Sequence, residues 1–120
     1  MWRVAVRTDF AAAHLIPGHS KCGRLHGHNY DVEVILESAK LGEMGFVIDF
    51  GILKEDIKAI VSRLDHTYLN ENLPPEHMPP SAEHIAAFIY GELASKQNLT
   101  GMKLAVKVFE TQKSWAEYSG

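Results

Sequence analysis

Two stretches of strict alternation constrain what this chain can fold into more than any other feature. Trp2, Val4, Val6, Phe10, Ala12 and His14 share one parity, while Arg3, Arg7 and Asp9 share the other. From His26 the pattern repeats, with His26, His28, Tyr30, Val32, Val34 and Leu36 on one side and Asn29, Asp31, Glu33 and Glu37 on the other. Successive side chains of a strand point to opposite faces, so each stretch predicts a long strand with one buried and one wet face. Three histidines continue the apolar parity of these strands, which is the wrong place for a polar ring without partners.

The remainder of the chain supplies what covers the buried face. The short run Phe46 to Phe50 predicts a third strand. Leu53, Ile57, Ile60, Val61 and Leu64 fall on one helical stripe. Four prolines between Asn70 and Pro80 exclude regular structure there. Ser81 then reads as an N-cap, with Glu83 in the first turn and Ile85, Phe88, Ile89 and Leu93 as the stripe of a second helix ending near Asn98. A last strand runs from Met102 to about Glu110, with Met102, Leu104, Val106, Val108 and Glu110 in phase, and Trp115 to Tyr118 returns against it. This order predicts an α+β domain with an antiparallel four-stranded sheet and two helices on one face.

Composition narrows the function classes. A chain of 120 residues, 46% hydrophobic and 22% charged, reads as one domain spanning residues 1–120. A net charge of −3 without any Lys/Arg run speaks against nucleic acid or an anionic membrane surface as partner, since both need a basic patch. One cysteine cannot form an internal disulfide, and MWRVAVRTDF lacks the layout of a signal peptide, so a reducing cytoplasm is expected. No apolar run approaches the roughly 20 residues that span a bilayer.

The chemistry concentrates around CGRLHGHNY, residues 22–30. His26 and His28, two apart on a strand, put both imidazoles on one face, and Gly27 between them leaves room for a neighbouring backbone. His14 ends a strand of matching phase and can converge with them if the two strands pair. Three imidazoles suit zinc and leave a fourth position for water or substrate, the pattern of a catalytic centre. Cys22 has three readings: a fourth ligand that closes the site, a thiolate acting beside the metal as base or nucleophile, or a small buried hydrophobe. Asp65 beside His66 is a pair in which a carboxylate fixes an imidazole's tautomer for proton transfer, or a histidine that suits a helix C-terminus. Glu110 is an odd carboxylate on an apolar strand face, expected to be buried. Its two acceptors match the paired N–H donors of a planar, guanidine-like ring edge. His77 and His84 are expected in solvent.

Taken in order, FAAAH (10–14), CGRLHGHNY (22–30), GFVIDFGILK (45–54), LDHTYLN (64–70), PSAEHIA (80–86) and VKVFET (106–111) resemble the 6-pyruvoyl- and 6-carboxy-tetrahydropterin synthase family. The resemblance implies the tunnelling fold, in which subunits join their sheets into a barrel of three and two rings stack into a homohexamer, with active sites between subunits. It also implies zinc held by His14, His26 and His28, and a catalytic triad of Cys22 as base with Asp65 and His66. Glu110 would be the pterin anchor, and Ser81 to Glu83 a helix start that also contacts the pterin, although threonine is commoner where Ser81 stands. Gly23, Arg24 and Leu25 separate Cys22 from His26. That spacing is similar to the bacterial carboxy enzymes, whereas animal pyruvoyl enzymes carry five residues there. The implied reaction takes 7,8-dihydroneopterin triphosphate to 6-carboxy-5,6,7,8-tetrahydropterin in the queuosine pathway, losing triphosphate and acetaldehyde. Lys21, Arg24 and His19 lie near Cys22 and are candidates to hold the triphosphate. The alternatives are a 6-pyruvoyl-tetrahydropterin synthase, which keeps the carbon chain, and a non-catalytic zinc-binding protein of the same fold.

Overall fold

A computed structural model describes the backbone of residues 1–120 and every side chain except that of Gln97. The elements run β1 (Trp2–His14), β2 (His26–Ser38), α1 (Phe50–Val61), β3 (Thr67–Tyr68), α2 (Leu69–Asn72), α3 (Ala82–Ala94), β4 (Lys103–Thr111) and β5 (Ser114–Ser119), with short 3₁₀ turns at Pro75–His77 and Gln97–Leu99. They form one five-stranded sheet in the order β3-β1-β2-β4-β5. The α+β class therefore holds, with a fifth strand of two residues and a third, four-residue helix added to the expectation.

The alternation in β1 and β2 has the predicted consequence. The two strands pair antiparallel over their whole length, from Trp2 opposite Ser38 to His14 opposite His26. Phe10, Tyr30, Val32, Val34 and Leu36 are buried on one face, joined by Leu104, Val106 and Val108 of β4. Leu53 and Ile57 of α1 and Ile85, Ile89 and Leu93 of α3 pack against them in the same core. Each such side chain contributes about 1.5–3 kcal/mol by leaving water. The wet face carries charge pairs instead, Arg7 with Glu33 and Arg3 with Glu37. Trp2 departs from its parity, being 53% exposed at the start of β1.

Three boundaries differ from the sequence reading. Residues 46–50 form no strand: Asp49 instead caps α1, its carboxylate accepting the Gly51 N–H at 2.7 Å. The apolar residues of that run serve the turn and helix entry, with Val47 buried and Phe46 and Phe50 half exposed. Ser81 caps α3 as expected, accepting the His84 N–H at 3.2 Å, but the helix stops at Ala94, with Ser95 as its C-cap, short of Asn98. The proline-rich segment from Asn70 holds most of α2 and a 3₁₀ turn rather than only irregular chain, and β3 lies just before it.

Candidate active site

The β1–β2 register brings the three histidines together. His14 faces His26 directly, and His28 stands opposite Ala12, so all three rings lie on the core face of adjacent strands. Ring centroids are 4.5 Å apart for His14 and His26, 4.8 Å for His26 and His28, and 5.1 Å for His14 and His28. One ligand-type nitrogen from each lies within 4.8 Å of the other two, and this converging set contains neither Cys22 nor Glu110.

Backbone carbonyls fix how two of the rings present themselves. Nδ1 of the fully buried His14 donates to the Pro80 carbonyl at 2.7 Å, and Nδ1 of His26 donates to the Arg24 carbonyl at 2.6 Å. A carbonyl only accepts, so in each neutral ring the proton sits on Nδ1 and Nε2 carries the lone pair. The two Nε2 atoms face each other at 3.0 Å, an arrangement that a cation between them relieves. Two nitrogens bound to one zinc at tetrahedral angles are about 3.3 Å apart, so this donor set fits that ion. Carbonyl partners behind ligand imidazoles are also what orients them in metal sites. Burial, reinforced by His14 and His26 against the opposing pull of Glu110, holds His28 below its ordinary 6.5, which favours the neutral form a metal needs.

Glu110 reaches the same cluster from β4. Its Oε2 lies 3.4 Å from His14 Nε2 and 3.6 Å from His28 Nε2. Its side chain is 31% exposed, so it is half-buried rather than buried, with part of the carboxylate open to an incoming group. Tyr30 completes the wall: its ring stacks on Phe10 at 4.9 Å and meets His28 and His14 edgewise at 5.3 and 5.8 Å. Burial and then the Glu110 charge push its phenol well above its ordinary value, so the hydroxyl keeps its proton.

Asp65 and His66 form the expected pair elsewhere. His66 Nδ1 donates to Asp65 at 2.9 Å, leaving Nε2 outward, and the other Asp65 oxygen accepts the Ala11 N–H at 2.9 Å. These two donors, the Ala11 amide first, hold the Asp65 carboxyl below its ordinary value of 3.8. His66 returns its own N–H to the Ala11 carbonyl at 2.6 Å and occupies φ 59°, a left-handed conformation that costs a non-glycine residue energy. The ring is 81% exposed and borders a hollow of about 540 Å³ lined by Ala11, Ala12, Ala13, Gly27, His28 and Asn29. A second hollow beside Asp65 and His66 is lined by Asp9, Ala11, Asn29 and Asp31, which have the parity opposite to the three histidines, and by Phe10, which shares it. The Asp65–His66 pair therefore stands mainly against residues of the wet face, while the three histidine rings share the core face.

Cys22, half-buried and free, sits in the loop between β1 and β2. The Ile16 N–H donates to its carbonyl, and its N–H donates to His19 Nδ1 at 2.8 Å. His19 thus has one ring nitrogen committed to the turn, while Lys21 and Arg24 are exposed beside it. Ser81 spends its hydroxyl on the α3 cap, and Glu83 is exposed in the first turn. His77 and His84 are not in open solvent: both are half-buried, 6.5 Å apart, with His77 against Phe88. Gly27 is not demanded by crowding, since an added Cβ would meet only the Ala12 carbonyl, at 3.4 Å.

Two supports escaped sequence reasoning. Pro80 supplies the carbonyl behind His14, and Asn70 brackets Leu15, accepting its N–H at 3.0 Å and donating to its carbonyl at 2.9 Å. Only LDHTYLN hinted at the second, as a polar residue just after the Asp-His pair.

Known proteins share this arrangement of elements. The chain matches the 6-pyruvoyl tetrahydropterin synthase family over residues 3–120. It is 44% identical over 115 residues, 95% of this chain and 92% of the relative, to an Archaeoglobus fulgidus protein provisionally called a 6-carboxy-5,6,7,8-tetrahydropterin synthase. It is 40% identical over 124 residues to the Synechocystis sp. protein of that name, covering 98% of this chain and 93% of the relative. The structure of Caenorhabditis elegans 6-pyruvoyl tetrahydropterin synthase superposes with a TM-score of 0.86 at 23% identity, covering 99% of this chain and 95% of that one, a likeness of fold.

Proposed function

The chain belongs to the 6-pyruvoyl tetrahydropterin synthase family, and from that membership we propose that it is a zinc-dependent 6-carboxy-5,6,7,8-tetrahydropterin synthase. It would convert 7,8-dihydroneopterin triphosphate to 6-carboxy-5,6,7,8-tetrahydropterin with release of triphosphate and acetaldehyde, as a cytoplasmic step of queuosine (7-deazapurine) biosynthesis. The observation that carries this reading is the converging trio His14, His26 and His28, two of whose lone pairs, those of His14 and His26, are aimed inward by backbone carbonyls. The name shared by full-length relatives and the three-residue spacing from Cys22 to His26 support the carboxy product over the pyruvoyl one.

Zinc bound by the trio supplies Lewis-acid polarisation of the substrate's side-chain oxygens, which acidifies the neighbouring protons. The chain's own groups do the rest. Cys22, outside the ligand set, takes a proton as the thiolate. His66, with Nδ1 tied to Asp65, offers Nε2 as the second proton carrier. Glu110 accepts paired N–H donors from the pterin edge, and Ser81 and Glu83 at the α3 start are further contacts for the pterin. Lys21, Arg24 and His19 are placed on the Cys22 loop to meet the triphosphate.

Asp65 and His66 stand mainly against wet-face residues while the trio lies on the core face, which supports a site completed by a second copy of the chain. We infer that the copies assemble as a homohexamer, a dimer of trimers with active sites between subunits. Incubating the zinc-loaded protein with 7,8-dihydroneopterin triphosphate tests the reading. Acetaldehyde and the 6-carboxy product are expected. A 6-pyruvoyl product without acetaldehyde would make it the sibling enzyme, and no turnover would leave a metal-binding relative.

A further inference from the structure

The feature the mechanism leaves unused is the Tyr30 hydroxyl. Tyr30 is fully buried, and its oxygen is the one buried side-chain polar atom without a hydrogen-bond partner among the described residues. Burying an unpaired hydroxyl is costly, and phenylalanine would give the same ring stack on Phe10 without that cost. A hydroxyl kept in such a place points to a partner acquired when the site is occupied.

The sheet register identifies that partner. Asp31 opposite Phe109 is the last pair of the β2–β4 ladder, and one step beyond it Tyr30 and Glu110 leave the two strands on the histidine-bearing face. Tyr30 carries a hydroxyl donor, and Glu110 is a carboxylate whose Oε2 lies against His14 and His28. Once a cation engages those nitrogens, one Glu110 oxygen can stay turned toward it, and the other is free to accept from the Tyr30 hydroxyl, a buried donor whose ring lines the same cluster.

We propose that Tyr30 is a positioning residue: in the loaded site its hydroxyl donates to the Glu110 carboxylate and fixes the orientation in which Glu110 receives a pterin edge. The assignment rests on the reading of Glu110 as the pterin anchor. It explains why a tyrosine stands two residues beyond His28, and it makes ligand recognition depend on a side chain that touches neither metal nor ligand.

The test is a double-mutant cycle on the zinc-loaded protein with neopterin as the probe, its dissociation constant read by fluorescence. Tyr30→Phe should keep zinc at wild-type content, keep or raise the melting temperature, and weaken neopterin about tenfold, the scale of one hydrogen bond to a charged group. In the Glu110→Gln background the same change should have almost no effect, because the carboxylate it acts through is gone. Wild-type affinity in Tyr30→Phe would overturn the assignment, as would an equal loss in both backgrounds, which would put the hydroxyl directly on the ligand. Absence of neopterin binding by the wild type would instead overturn the pterin reading, and this assignment with it.

Discussion

At the scale of single residues, two of the three histidines are held by what stands behind them. His14 and His26 each lean on a backbone carbonyl, and so the metal-facing nitrogens are set before any metal arrives. A His26→Ala, His28→Ala double variant should therefore bind no zinc, measured as metal per subunit after dialysis, whereas Cys22→Ala should keep it. If Cys22 moves a proton, its alanine variant should lose about 10²- to 10⁴-fold in turnover with metal content unchanged. Zinc lost in step with activity would make it a fourth ligand. Asp65 gives a pH prediction. Its folded carboxyl lies below 3.8, so its contribution to stability is complete above that value and is lost as the pH falls through the lower folded one. Urea unfolding from pH 7 to pH 3 should show a smaller acid loss in Asp65→Ala than in the wild type. An identical slope would mean that the Ala11 and His66 contacts do not hold the carboxylate in solution.

At the scale of elements, the long strands were legible because each has one wet and one buried face, and the histidines because they continue the buried one. The Phe46–Phe50 strand was misread because an apolar run without alternation does not distinguish a strand from a turn that feeds a helix, and Asp49 decided it by capping α1. β3 is too short to leave a pattern at all. The supports of the site were hidden for a different reason: a carbonyl such as that of Pro80 is offered by every residue, and only the fold chooses which one meets His14. The Cys22 loop offers a prediction at this scale. A Cβ on Gly23 would run into the His19 carbonyl oxygen, whose bond to the Gly23 N–H at 2.9 Å closes the turn under Cys22. Gly23→Ala should thus slow turnover at least tenfold while the sheet, followed by circular dichroism, and the zinc content stay as in the wild type. Wild-type turnover would show that the turn geometry does not matter to the cysteine.

At the scale of the whole molecule, the chain is an elongated body of 51 × 24 × 22 Å, drawn out by a 13-residue hairpin arm. Trp2, Leu41, Phe46 and Phe50 stand partly bare around a hollow of about 220 Å³. Among the described residues no helix is long and apolar enough to cross a membrane. The proposed site would make assembly part of the chemistry: one chain would bring the histidine trio and a neighbour would bring Asp65 and His66. The most direct measurement is the activity of hybrids made from two disabled chains, the zinc-free His26→Ala, His28→Ala variant and a His66→Ala variant, unfolded together and refolded with zinc. Each alone should be inactive toward 7,8-dihydroneopterin triphosphate. The equal mixture should recover roughly a quarter of wild-type activity, as random pairing of subunits predicts. A mixture that forms hybrid oligomers yet stays as inactive as its parents would contradict a site shared between copies.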